Sequence, residues 1–135
     1  MSKTMLIIED DAVSRDLLRL IFEYDGFTCM EAENGAMGLA MLESQAFDMI
    51  MLDNAMPVMT GLEFLDHVQH KPQQSDAPII MITGLLNSSI REKATKLGAY
   101  AMVEKPYDLG ELRALVSQLC VTSPSLTQEL SLLPK

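Results

Sequence analysis

The sequence predicts a doubly wound α/β domain, a five-stranded parallel sheet covered by five helices. Two patterns carry that reading. Short apolar runs recur five times along the 135 residues, at Met5–Ile8, Phe27–Met30, Met49–Leu52, Ile79–Ile82 and Tyr100–Val103. None alternates strictly with polar residues, as a strand with one wet face would, so each reads as a strand buried on both sides. Longer stretches with helical spacing separate them, and right-handed strand–helix–strand crossovers turn such a series into a layered α/β domain.

Each helix has its own signal. In the first, Val13, Leu17, Ile21 and Tyr24 form an apolar stripe at helical spacing, and Gly26 is a stop. The second stretch follows Asn34, the third Gly61 and the fourth Asn87. The fifth opens at Asp108 with Glu111 three residues on, a variant of the capping box. After Cys120 the run Val121-Thr122-Ser123-Pro124-Ser125 has a linker composition, so a domain over 1–120 and a tail or linker over 121–135 are expected. Within that tail, Leu126, Leu130 and Leu133 could share one helical face.

Composition narrows the function classes. Apolar types make up 48% and charged types 21%, an ordinary globular balance that excludes a disordered or collagenous chain. Two cysteines, Cys29 and Cys120, cannot build a disulfide framework, and no leader pattern precedes the first charged cluster. No apolar run reaches the roughly 20 residues that span a bilayer. A cytoplasmic protein without a membrane partner is expected. The net charge of −9 argues against binding nucleic acid, whose affinity rests on neutralising phosphates.

The informative acids stand at strand ends. Glu9, Asp10 and Asp11 follow the first apolar run and Asp53 the third. In the flavodoxin-like strand order 2-1-3-4-5, strands one and three are neighbours, and ligands bind beyond their carboxyl ends. Carboxylates crowded there repel unless a cation joins them, and an all-oxygen set suits Mg²⁺. Asp10 or Asp11 could equally cap the first helix. Thr83 closes the fourth run and Lys105 the fifth, with Pro106 holding the lysine backbone extended. Acids, hydroxyl and ammonium together suit phosphoryl transfer to a carboxylate.

Four segments resemble the signature of bacterial response-regulator receiver domains over residues 4 to about 120. They are Ile7-Ile8-Glu9-Asp10-Asp11, Asp48 to Pro57, Pro78 to Gly84 and Val103-Glu104-Lys105-Pro106-Tyr107. The resemblance implies a switch rather than an enzyme, in which Asp53 accepts a phosphoryl group from a sensor histidine kinase or a histidine phosphotransfer protein. It implies that Asp10, Asp53 and the backbone carbonyl of Ala55 hold Mg²⁺, with Glu9 helping. Thr83 and Lys105 would contact the phosphoryl oxygens, and Gly84 would leave the site open. A homodimer through the fourth helix, fifth strand and fifth helix is the further expectation.

The chain departs from the family pattern in places. Thr60-Gly61 stands where Asp-Gly is common, and Gly61 is expected to close the loop through a positive φ. Three residues before Lys105, where an aromatic switch residue is common, stands Met102. Tyr100 lies two residues earlier, on the same side of the same strand. Arg91, Lys93 and Lys96, opposed by Glu92, make a basic patch on the fourth helix that suits an acidic partner. Met56 and Met59 flank the acidic loop and could be mobile there. His67 and His70 read as surface residues. A haloacid-dehalogenase-like phosphatase is an alternative, but it needs a second carboxylate two residues after the nucleophile, where Ala55 stands. A pseudo-receiver that only binds partners is a third reading.

Overall fold

The computed structural model describes residues 3–70 and 76–122. Five strands, β1 (Lys3–Ile8), β2 (Phe27–Ala32), β3 (Met49–Asp53), β4 (Ile79–Thr83) and β5 (Ala101–Glu104), alternate with α1 (Ala12–Tyr24), α2 (Gly35–Ser44), α3 (Gly61–Gln69), α4 (Ser88–Lys96) and α5 (Leu109–Thr122). All strand pairs are parallel, in the order β2-β1-β3-β4-β5. The expected class and order hold. One unit runs through Lys105 and contains the sheet with α1–α4; a second begins at Pro106 and contains α5. α5 continues to Thr122, two residues past the expected boundary, while Leu126, Leu130, Leu133, Lys71 and Pro72 lie outside the described residues.

Burial explains the absence of strict alternation. β3 and β4 are buried at every residue and β1 from Met5 onward, whereas the edge strands β2 and β5 are mostly half-buried. Leu6, Ile8, Ile50, Leu52, Ile79 and Met81 share one core with Leu42 of α2, Phe64, Leu65 and Val68 of α3, and Ala94 of α4. Period-two alternation turns Met5, Ile7, Met49, Met51, Ile80 and Ile82 to the other face. On that face Phe22 of α1 meets Phe27 edge to face, with centroids 6.0 Å apart.

Two sequence expectations are corrected here. α1 buries Leu18 and Phe22, not the Val13–Leu17–Ile21–Tyr24 stripe. Val13, Leu17, Leu20 and Tyr24 are exposed, Tyr24 by 85%. Both faces of α1 are apolar, so periodicity alone selects the wrong one. β5 begins at Ala101, so Tyr100 precedes the strand; its amide donates to the Ile79 carbonyl and its side chain is exposed. Met102, paired with Met81, is half-buried against the core.

Helix caps follow the residues that announce them. Asn34 and Asn87 accept from Met37 and Ile90 amides, and Asp108 from that of Glu111. The complete capping box is on α3, where Thr60 and Glu63 bond reciprocally to each other's amides. That Thr-x-x-Glu pattern is legible in the sequence.

Candidate functional site

Register builds the site. Ile8 pairs with Leu52, so the next residues, Glu9 and Asp53, emerge side by side at the carboxyl edge of neighbouring strands. Asp10 follows Glu9, and one carboxylate oxygen from each of Glu9, Asp10 and Asp53 lies within 4.8 Å of the others. Asp11 does not join them: its carboxylate accepts the Ser14 amide at 2.8 Å as N-cap of α1, and that bond holds it below the usual carboxylate range. The two roles open to Asp10 and Asp11 are thereby divided.

Thr83 and Lys105 arrive from the other side. Thr83 ends β4 opposite Glu104, and the amide of Lys105 donates to the Thr83 carbonyl at 2.8 Å, bringing both side chains to the same edge. The Lys105 ammonium lies 3.0 Å from Glu9 Oε2 and 3.8 Å from Asp53 Oδ1. Glu9, Asp53 and Thr83 are buried, Asp53 being only 5% exposed. Burial pushes the Glu9 carboxyl up to about 7, with the charge on Asp53 acting in the same sense and the Lys105 hydrogen bond opposing both. Three carboxylates sharing one ammonium are short of positive charge. A divalent cation would supply it, and the donor set, all oxygen with the Ala55 carbonyl nearby in sequence, fits Mg²⁺.

The frame around the acids is hydrogen-bonded. The Asp53 Oδ1 atom accepts the Ala55 amide at 3.3 Å, and Glu9 Oε1 accepts the Asp11 amide at 3.2 Å. Arg15, which sequence reasoning missed, donates to the Glu9 carbonyl at 2.8 Å and lies 3.8 Å from Glu31. Its only signal was a cation in the first turn of a helix that follows an acidic strand end. Gly84, beside Thr83, has open space around it.

Several expectations change. Gly61 has no positive φ; its role is close approach, because a Cβ there would stand 2.7 Å from the Asn54 Cα and 2.8 Å from the Asp53 carbonyl oxygen. Met56 is buried in the core and Met59 packs against it, so neither has the freedom that the sequence left open. On α4, Lys96 pairs with Glu92 at 3.2 Å while Arg91 and Lys93 are exposed. His70 bonds to Asp66, and among the described residues the only metal-competent cluster is Glu9, Asp10 and Asp53.

A doubly wound sheet with carboxylates, a hydroxyl and an ammonium along its carboxyl edge fits the signal-receiving domains of two-component systems. The chain belongs to the response regulator receiver domain family, whose model matches residues 5–117. It is 33% identical over 120 residues to an uncharacterized 14.6 kDa protein of Leptolyngbya boryana, covering 89% of this chain and 92% of that one. It is 36% identical over 115 residues to the Regulator of RpoS of Escherichia coli, covering 84% of this chain and 34% of that protein. The chain also spans 51% of the phosphate regulon transcriptional regulatory protein PhoB of Escherichia coli, at 28% identity over 86% of its own length. Among solved structures, chemotaxis protein CheY4 of Vibrio cholerae superposes with a TM-score of 0.82 at 26% identity, covering 88% of this chain and 99% of that one. Response regulator TrrA of Thermotoga maritima, solved with Mg(2+)-BeF, gives 0.76 at 31% identity, covering 87% and 98%. Receiver domains bind Mg²⁺ at an acidic pocket and interact with histidine kinases and phosphotransfer proteins. No helix among the described residues is long and apolar enough to cross a membrane.

Proposed function

We propose that this domain is a phosphoacceptor switch in which Asp53 takes a phosphoryl group from a histidine kinase or a histidine phosphotransfer protein. The observation that carries the reading is the convergence of Glu9, Asp10, Asp53 and Lys105 at one strand edge. Glu9, Asp10, Asp53 and the Ala55 carbonyl would hold Mg²⁺, which would supply positive charge against the oxygens of the transferring group. A carboxylate oxygen of Asp53 bonds to phosphorus while the phosphorus–nitrogen bond of the donor breaks, and the electron pair stays on the donor imidazole. Lys105 and Thr83 bind the phosphoryl oxygens. The exposed stripe Val13, Leu17, Leu20 and Tyr24 starts beside the acidic edge and has the four-three-four spacing that a partner helix packs against, so it seats the donor's helical bundle.

The domain acts as a switch rather than a hydrolase. Ala55, two residues after Asp53, has no group to activate water, so the acyl phosphate persists. The phosphoryl group adds about −1.5 to −2 of charge, and drawing Thr83 toward it disturbs the Leu85 amide that its Oγ1 accepts at 3.3 Å. Met102 follows through flexible rotamers instead of a two-position aromatic flip. Arg91, Lys93 and Lys96 on α4 then present the face read by an acidic partner or by a second copy.

Incubating the chain with Mg²⁺ and acetyl phosphate tests this. Wild type gains the mass of one phosphoryl group, whereas Asp53→Asn and metal-free wild type gain none. Labelling of Asp53→Asn at the wild-type rate defeats the assignment, and turnover of a small phosphate ester restores the phosphatase reading.

A further inference from the structure

The loop between β3 and α3 contains the one non-glycine residue with positive φ among the described residues, Val58, at 72°. The amide of Met59 donates to the carbonyl of Pro57 at 2.7 Å, which makes a three-residue turn centred on Val58. Turns of this kind, with φ near +75° at the centre, are rare and strained, and a β-branched residue suits them worst. The Val58 side chain is 80% exposed, so its own contacts do not offset the strain.

The neighbours do. A Cβ built on Gly35, the first residue of α2, would stand 2.8 Å from Met59 Sδ and 3.0 Å from its Cγ. Met59 therefore packs directly against the Gly35 backbone, in space that a side chain at residue 35 would contest. On the near side, Met56 is buried in the core and its amide donates to the Asn54 carbonyl at 3.0 Å, bracketing Ala55. With Met56 and Met59 both seated and the φ of Pro57 fixed by its ring, the reversal between them falls on Val58.

We propose that Val58 and Met59 form a sprung latch: seating Met59 against Gly35 forces the strained turn, and the closed loop holds the Ala55 carbonyl in place for Mg²⁺. Both are positioning residues, acting through the loop backbone, and the role rests on the metal site proposed above. If the latch opens, Val58 relaxes to negative φ and the carbonyl is displaced.

A double-mutant cycle on the full chain reads this through Mg²⁺ affinity by calorimetry and stability in urea. Asparagine tolerates the left-handed region, so Val58→Asn raises the urea midpoint and binds Mg²⁺ at least as tightly as wild type. Met59→Ala weakens Mg²⁺ binding about tenfold, as loss of a supporting contact to a metal site does. Combining the two restores most of the affinity, because asparagine keeps the turn without its anchor. A lower midpoint for Val58→Asn removes the strain and overturns the latch. Equal Mg²⁺ affinity in Met59→Ala and the double variant overturns the coupling. Wild type that binds no Mg²⁺ defeats the metal reading, and the positioning role with it, and is distinguished from latch failure without any variant.

Discussion

Two loops flank the acidic edge, and they are built differently. The loop from Asn54 to Thr60 is tied at its base by the Asn54 carbonyl, which accepts from Met56 and Gly61 amides, and by the Asn54 side chain, which accepts from Leu62. It is closed at its tip by the Val58 turn, and it packs two methionines inward. The loop from Gly84 to Asn87 has open space around Gly84, leaves Leu85 67% exposed, and is held by 3.3 Å bonds from Leu85 to Thr83 and from Leu86 to Glu104. On the function proposed above, the difference separates two tasks. Metal and phosphoryl chemistry need fixed oxygens, which the first loop supplies through backbone over-determination. A switch needs an element with little to lose on moving, which the second loop provides.

The contrast is broken most severely at the glycines. Gly61→Ala drives a Cβ into the Asn54–Asp53 backbone and should cost about 1–3 kcal/mol by urea denaturation, with slower acetyl phosphate labelling. Gly84→Ala meets nothing and should change stability by no more than about 0.5 kcal/mol. Similar losses at both positions would erase the distinction. The ties come next. Asn54→Ala strips the acceptor from the part-buried Leu62 amide and should lose about 1–2 kcal/mol, whereas Glu104→Ala leaves an exposed Leu86 amide that water satisfies, at about 0.5 kcal/mol or less.

The smallest effect is a control at the far edge of the sheet. Burial, aided by the charge on Glu23, pushes the Cys29 thiol up to about 11, so it is neutral at pH 8. Alkylation there should run about a hundredfold slower than at an ordinary thiol, in wild type and in Glu104→Ala alike. The raised value means that this group's contribution to stability is complete below pH 9 and is lost as pH rises through 11. Fast alkylation of Glu104→Ala at pH 8 would show that its effect is global, not confined to the loop.

Much of this was legible in the residues. Five apolar runs and the polar caps are local signals, and local signals located every strand to within two residues at each end. The strand-end acids were legible because each group directly follows an apolar run, Glu9 to Asp11 after Ile8 and Asp53 after Leu52. What failed was choice of face. Val13, Leu17, Ile21 and Tyr24 have the spacing of a core stripe, yet Leu18 and Phe22 are the residues buried. An amphipathic pattern states that a helix has an apolar side, and when it has two, only packing decides. Gly61 likewise announced a special backbone position without saying whether dihedral freedom or close approach required it.

The sequence by itself determined the layered architecture and which chemical groups stand at strand ends, because both follow from periodicity and chain order. Only the tertiary structure decided that Asp11 caps a helix while Asp10 joins Glu9 and Asp53, that Lys105 reaches two of those acids, and that Val58 sits at positive φ. These are outcomes of competition for space and hydrogen bonds among residues distant in the chain, and no local pattern records them.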